Sequence, residues 1–179
     1  AIADSTIKSI AERQPAQSGG KIAGKVIMVP VLEANGVTRV ARFGWKNQHA
    51  SLLSFAADAY LNEMGITSPL QPTENTSLGR SVAAYDQAPD PEDEGGVDVE
   101  AFARFMRATK VPPRDTRLAA TANARVGSAL FDEIGCSMCH TRSIVTAPPG
   151  TSINGGRFVV PPELGNKTIH PFSDFLLHD

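Results

Sequence analysis

The stretch Gly127-Ser-Ala-Leu-Phe-Asp-Glu-Ile-Gly-Cys-Ser-Met-Cys-His140 decides how this chain is read. Cys136 and Cys139 stand three apart, so one helical turn presents both thiols on the same side. Each thiol can add across a vinyl group of haem, and His140, the next residue, then points its imidazole at the iron. The C-x-x-C-H string is the attachment signal of c-type haem, and a proximal histidine is a common ligand to haem iron. Upstream, Gly127, Leu130, Phe131, Ile134 and Gly135 predict a short amphipathic helix that delivers its apolar face to a macrocycle. The expected cofactor is covalent haem c with its iron, held by Cys136, Cys139 and His140.

Two other chemistries use the same residue types. A disulfide or thioredoxin-like site needs C-x-x-C, gains nothing from the trailing histidine, and normally lies near a βαβ pattern that is not visible here. A structural zinc site needs four nitrogen or sulfur ligands. His170 and His178 are available to complete one, which makes a zinc-stabilised binding module the non-redox reading. The interval from His140 to His170 matches no common zinc module.

Composition bounds the rest. The 179 residues allow one or two small domains. Hydrophobic residues make up 41%, enough for a packed core, while 13 Pro and 15 Gly predict much irregular structure. A net charge of −2 with scattered Lys and Arg argues against a nucleic-acid partner. No apolar run is long enough to predict a membrane-spanning helix. Cys136 and Cys139 are the only cysteines, so no disulfide framework fixes the compartment. Haem c, which bacteria attach outside the cytoplasmic membrane, sets the expectation of the periplasm or the bacterial cell surface. No signal peptide precedes the first element, and the chain reads as a mature protein or an internal fragment.

The expected fold class is mainly α, with cytochrome c-like haem architecture, a small β-hairpin and much irregular loop. Residues from Asp4 open a short helix. Lys25–Glu33 and Val37–Phe43 are β-branched runs joined by Ala34-Asn-Gly36, a hairpin signal, with Pro30 confining the first run to an edge. A helical pattern over Asn47–Met64 places Leu52, Phe55, Ala56, Ala59 and Met64 on one side and stops at Gly65. Pro89–Gly96 reads as an acidic, solvated loop. Asp98 is the expected cap of a helix carrying Val99, Phe102, Ala103 and Met106 on one face. Val111–Arg117 reads as a linker, Phe158–Val160 as a short strand, and the apolar ending before His178-Asp179 as the cut edge of a longer protein.

With the motif placed, a wider likeness can be stated. Arg42-Phe-Gly-Trp-Lys46, Met64-Gly-Ile-Thr67, Phe105-Met-Arg-Ala-Thr-Lys-Val-Pro-Pro-Arg-Asp115 and Ile169-His-Pro-Phe-Ser-Asp-Phe-Leu-Leu-His-Asp179 resemble the bacterial di-haem thiol-oxidoreductase-like family, which is related to the di-haem cytochrome c peroxidases. The family pattern has two cytochrome c-like domains, each with its own C-x-x-C-H; this chain has one such motif. The resemblance implies that residues 1–110 are the later part of a first cytochrome c-like domain, without a haem motif of its own. Residues 118–179 are then the start of a second, haem-attaching one. The implied function is electron transfer by a c-type haem within a di-haem oxidoreductase, its partner a redox protein or a second haem domain. The competing enzyme reading is peroxide reduction or thiol oxidation at an open haem iron.

The second axial position is less determined. Met138 is excluded because it lies inside the motif, on the proximal side. His170 precedes Pro171, which favours extended backbone and an aimed side chain, so His170 is the expected second iron ligand, ahead of His178 or a methionine. Met64 and Met106 read as core filler. His49 reads as a capping or surface residue rather than one facing a haem. Trp45 reads as a hairpin residue packed in the core rather than an electron relay. Asn75 and Thr76 alone offer too few oxygens for a calcium site.

Overall fold

The computed structural model describes residues 1–109 and 113–178. Among these, helix α1 covers Asp4–Gln17 and strands β1 and β2 cover Met28–Pro30 and Thr38–Val40. Helix α2 spans Leu52–Ala59 and runs into a π turn at Tyr60–Met64. Helices α3, α4 and α5 follow at Val97–Ala108, Thr116–Ala119 and Ala122–Glu133. Four two-residue strands close the order: β3 Ile144–Val145, β4 Ser152–Ile153, β5 Phe158–Val159 and β6 Thr168–Ile169. The fold is mainly helical, with small antiparallel strand pairs and long stretches of loop.

Residues 28–109 and 154–157 make one compact unit; residues 1–27, 110–153 and 158–179 make another. The N-terminal 27 residues thus group with the C-x-x-C-H segment, a juxtaposition a linear division of the chain cannot express. Main-chain bonds hold them there: Ala147 N–H donates to Ala1 O at 2.8 Å and Lys25 N–H to Leu177 O at 2.7 Å. In that unit β3 pairs with β6 and β4 with β5. Its buried apolar residues include Ile2, Ile7, Ile10, Ile144, Ala147, Val160 and Leu176.

The other unit contains the expected hairpin, shorter than its β-branched runs. β1 and β2 pair in the register Met28↔Val40, Val29↔Arg39 and Pro30↔Thr38. The connection is a double turn: Ala34 N–H donates to Val31 O, and Val37 N–H to Ala34 O. Gly36 supplies the positive φ of 75° that the second turn needs. A small-residue core then forms where α2 meets α3, from Ala56, Ala57, Val99 and Ala103, each at most 1% exposed.

Several helix boundaries move for identifiable reasons. α2 begins at Leu52 rather than Asn47, because Asn47 takes φ 52° in a tight loop closed by Phe43 and His49. Ser51 caps the helix, its hydroxyl accepting Ser54 N–H at 2.9 Å. The stop at Gly65 holds, with φ 67°. The π turn before it inserts an extra residue per turn and shifts the helical face, so Met64 is 53% exposed rather than core filler. α3 is capped not by Asp98 but by Asp93, whose oxygens accept Asp98 N–H and Val99 N–H, each at 3.2 Å. The acidic loop is correspondingly built in: Asp90 and Glu92 bond the Thr67 hydroxyl. The Val111–Arg117 linker falls partly outside the described residues, and α4 starts within it.

Trp45 and His49 also differ from expectation. Trp45 is 93% exposed, thrust out at the tip of a loop in which Gln48 N–H donates to Phe43 O at 2.9 Å. The tight loop leaves that side chain no core to enter. His49 is buried, neither cap nor surface residue; its Nε2 lies 3.2 Å from Asp58 Oδ2 and its ring sits against Phe55.

Candidate haem-attachment site

α5 is the platform of the site. Its N-terminus is capped by Thr121, whose hydroxyl accepts Ala124 N–H at 3.3 Å, which contributes on the order of 1 kcal/mol. Its C-terminus gives way at Gly135, which has φ 90°. That positive φ is what calls for glycine, since a Cβ there would meet only the movable end of the Met138 side chain, Cε at 2.5 Å. Cys136–Met138 follow as a 3₁₀ turn. Cys139 N–H and His140 N–H both donate to Cys136 O, at 3.3 and 2.9 Å. This bonding holds both cysteines and the histidine in one tight turn. Neither cysteine is in a disulfide.

The orientation of His140 is set from outside the motif. Its Nδ1 lies 2.8 Å from Phe172 O. A carbonyl oxygen can only accept, so Nδ1 carries the proton and Nε2 keeps its lone pair. That tautomer is the one a ligand to iron needs, and the hydrogen bond raises its basicity. The aromatic surroundings steady the ring: Phe131 lies 6.2 Å from His140 and 5.8 Å from Phe172, centroid to centroid.

Arg142 clamps the segment leaving the motif back onto α5. Its Nε and Nη2 donate to the two oxygens of Asp132 at 3.1 and 3.0 Å, and Nη2 also donates to Ser128 O at 2.7 Å. The guanidinium sits 4.6 Å from the Phe131 ring centroid. These donors, Arg142 first and then Ser137, hold the Asp132 carboxyl below its usual range. Burial, then the charges of Asp174 and Cys136, pushes the Cys139 thiol up. That disfavours the thiolate and with it ordinary thiolate nucleophilicity.

The residues fit c-type haem. Two unpaired thiols, a histidine with a free Nε2, and the apolar side chains of Val126 and Leu130 on α5 and of Ile134 just past its end, 45–72% exposed, are what the group requires. The predicted set therefore separates. Cys136, Cys139 and His140 share one turn. His170 is anchored on the segment after the motif, its Nδ1 2.9 Å from Ser143 Oγ and 3.2 Å from Arg142 O. His178 pairs instead with Asp174, Nε2 to Oδ2 at 2.8 Å. Ligand atoms of Cys139, Asp174 and His178 lie within 4.8 Å of one another. Sequence reasoning missed Asp174, Gln14, Arg142 and the Phe172 carbonyl. The one available signal was Gln14, a polar residue on the apolar stripe of Ile7 and Ile10.

Comparison with protein families decides the identity at this level. The model of the family described as "Di-haem oxidoreductase, putative peroxidase" matches residues 1–179. The chain belongs to the di-haem oxidoreductase family. Its place among oxidoreductases follows from that membership. No curated protein and no solved structure matches it. No helix among the described residues is long and apolar enough to cross a membrane.

Proposed function

We propose that this member of the di-haem oxidoreductase family carries covalent haem c on Cys136 and Cys139, ligated by His140, and serves electron transfer. The observation that carries the reading is the 2.8 Å contact of His140 Nδ1 with Phe172 O, which leaves Nε2 for iron. When bound, haem would supply a one-electron couple. The chain's own residues do the rest: the Cys136–Met138 turn anchors, Phe172 orients His140, and Arg142 braces the exit segment. In this reading His170 would be the second residue to hold the iron, its Nδ1 already engaged by Arg142 O and Ser143 Oγ. In this reading the flanking architecture is cytochrome c-like, with residues 118–179 as part of one such domain, joined by residues 1–27, and the rest of residues 1–110 as part of the other. The redox partner is a second haem domain or another protein, and the setting is the bacterial periplasm or cell surface.

The family description favours a second reading, peroxide reduction at an open iron, with thiol oxidation as its variant. The Cys139, Asp174 and His178 cluster is the closest approach to the zinc alternative. One preparation separates all of these. Expressed with haem-attachment machinery, the chain is expected to retain haem through acid–acetone extraction and give a c-type pyridine haemochrome. Cys136→Ala or Cys139→Ala abolishes double attachment. A colourless protein with stoichiometric zinc would falsify the haem reading. The ferric spectrum is expected to be low-spin, converted to high-spin by His170→Ala. A high-spin wild-type spectrum that this variant leaves unchanged replaces the closed electron-transfer site with an open one.

A further inference from the structure

We propose that Asp174, tied to Gln14, is the positioning residue that holds the His140 ring in its iron-facing orientation; the proposal rests on the haem reading above. The carbonyl that receives His140 belongs to a strained turn. Phe172 has φ 48° and Phe175 φ 58°, a left-handed conformation that bulky residues keep only where their surroundings impose it. Asp174 lies between them, 4% exposed. Its Oδ1 accepts Leu176 N–H at 3.0 Å, and its Oδ2 accepts Gln14 Nε2 at 2.6 Å and meets His178 Nε2 at 2.8 Å. The carboxylate thereby pins the turn from within.

Gln14, 1% exposed, carries the constraint to the other partner. Its Nε2 also donates to Met138 O at 3.0 Å, inside the attachment turn, and its Oε1 accepts Gly24 N–H at 2.8 Å. The space is filled: a Cβ on Gly24 would meet Leu176 Cδ1, Gln14 Oε1 and His178 Cε1 within 2.8 Å. One buried amide–carboxylate pair thus bonds the segment that bears His140 and the segment that supplies its acceptor. Both atoms of the 2.8 Å His140 to Phe172 contact are located by it. A buried carboxylate left without such partners is costly, so each partner of Asp174 adds to the hold on the turn.

The test uses the haem-loaded chain and reads the midpoint potential by spectroelectrochemistry. A histidine released from its carbonyl acceptor is a weaker donor to iron, so Asp174→Asn and Gln14→Leu are both expected to shift the potential upward. Gln14→Leu keeps the Asp174 charge. A shift confined to Asp174→Asn would mean that the charge acts alone and would overturn the positioning role, as would no shift in either. Should both buried variants fail to accumulate, His178→Ala, at a half-exposed position of the same network, is expected to move the potential less but in the same direction. An unmoved potential there overturns the proposal. If the wild-type chain takes up no covalent haem, the functional reading fails separately, and the ¹⁵N shifts of the His140 ring decide. An Nδ1-protonated tautomer that becomes mixed in the variants supports positioning, and unchanged shifts overturn it.

Discussion

Helices α3 and α5 are each 12 residues long, yet they are made in different ways. α3 buries Val99 and Ala103 against Ala56 and Ala57 of α2, and Leu52, Leu53, Tyr60 and Leu70 pack around these small residues. α5 has no buried residue at all. It is held by its Thr121 cap, by the Arg142 clamp on Asp132 and Ser128, and by the turn it feeds. The contrast teaches that one helix is a product of packing and the other a platform. The platform keeps Val126, Leu130 and Ile134 open beside the attachment turn, as the proposed haem reading requires.

The comparison is broken most sharply at the packed helix. Ala103→Leu inserts a branched side chain where exposure is 0%. It is expected to lower stability by about 1–3 kcal/mol, read from thermal or denaturant unfolding. A negligible change would show that the α2–α3 contact has slack. Next in size, Thr121→Ala should cost about 1 kcal/mol through loss of the α5 cap, measured the same way. If that loss is absent, the platform does not depend on its cap.

A pH series sharpens the role of the clamp. The Asp132 carboxyl is held low by Arg142, so its pairing stabilises the fold above the ordinary carboxylate range. The contribution is lost as pH falls through the depressed value. Asp132→Asn should therefore melt below wild type at neutral pH, with the gap closing in acid; a gap independent of pH would assign the effect to packing. The smallest effect is expected for Val126→Ala, 59% exposed on α5. In the haem-free chain it should stay within about 0.5 kcal/mol. A larger loss would mean that α5 is packed after all.

Much of this was legible because it is local. The Cys136-Ser-Met-Cys139-His140 spacing, the Asn35-Gly36 turn, the stop at Gly65 and the glycine at 135 depend on residues within a turn of one another, and each appears where the sequence places it. The start of α2, the Asp93 cap and the exposure of Met64 and Trp45 were not legible. They turn on a tight loop, a residue several positions upstream and one extra residue in a π turn, none of which alters hydrophobic periodicity.

By itself, then, the sequence determined the mainly helical class, the hairpin and the Cys136-x-x-Cys139-His140 spacing on which the proposed attachment rests, since propensity, turn chemistry and motif spacing all act over a few bonds. Only tertiary structure decided which way His140 faces, because its acceptor lies 32 residues on. Likewise it alone brought Gln14 to Asp174, 160 residues away. Burial makes those polar groups find partners wherever the fold delivers them, and no local pattern records the distance.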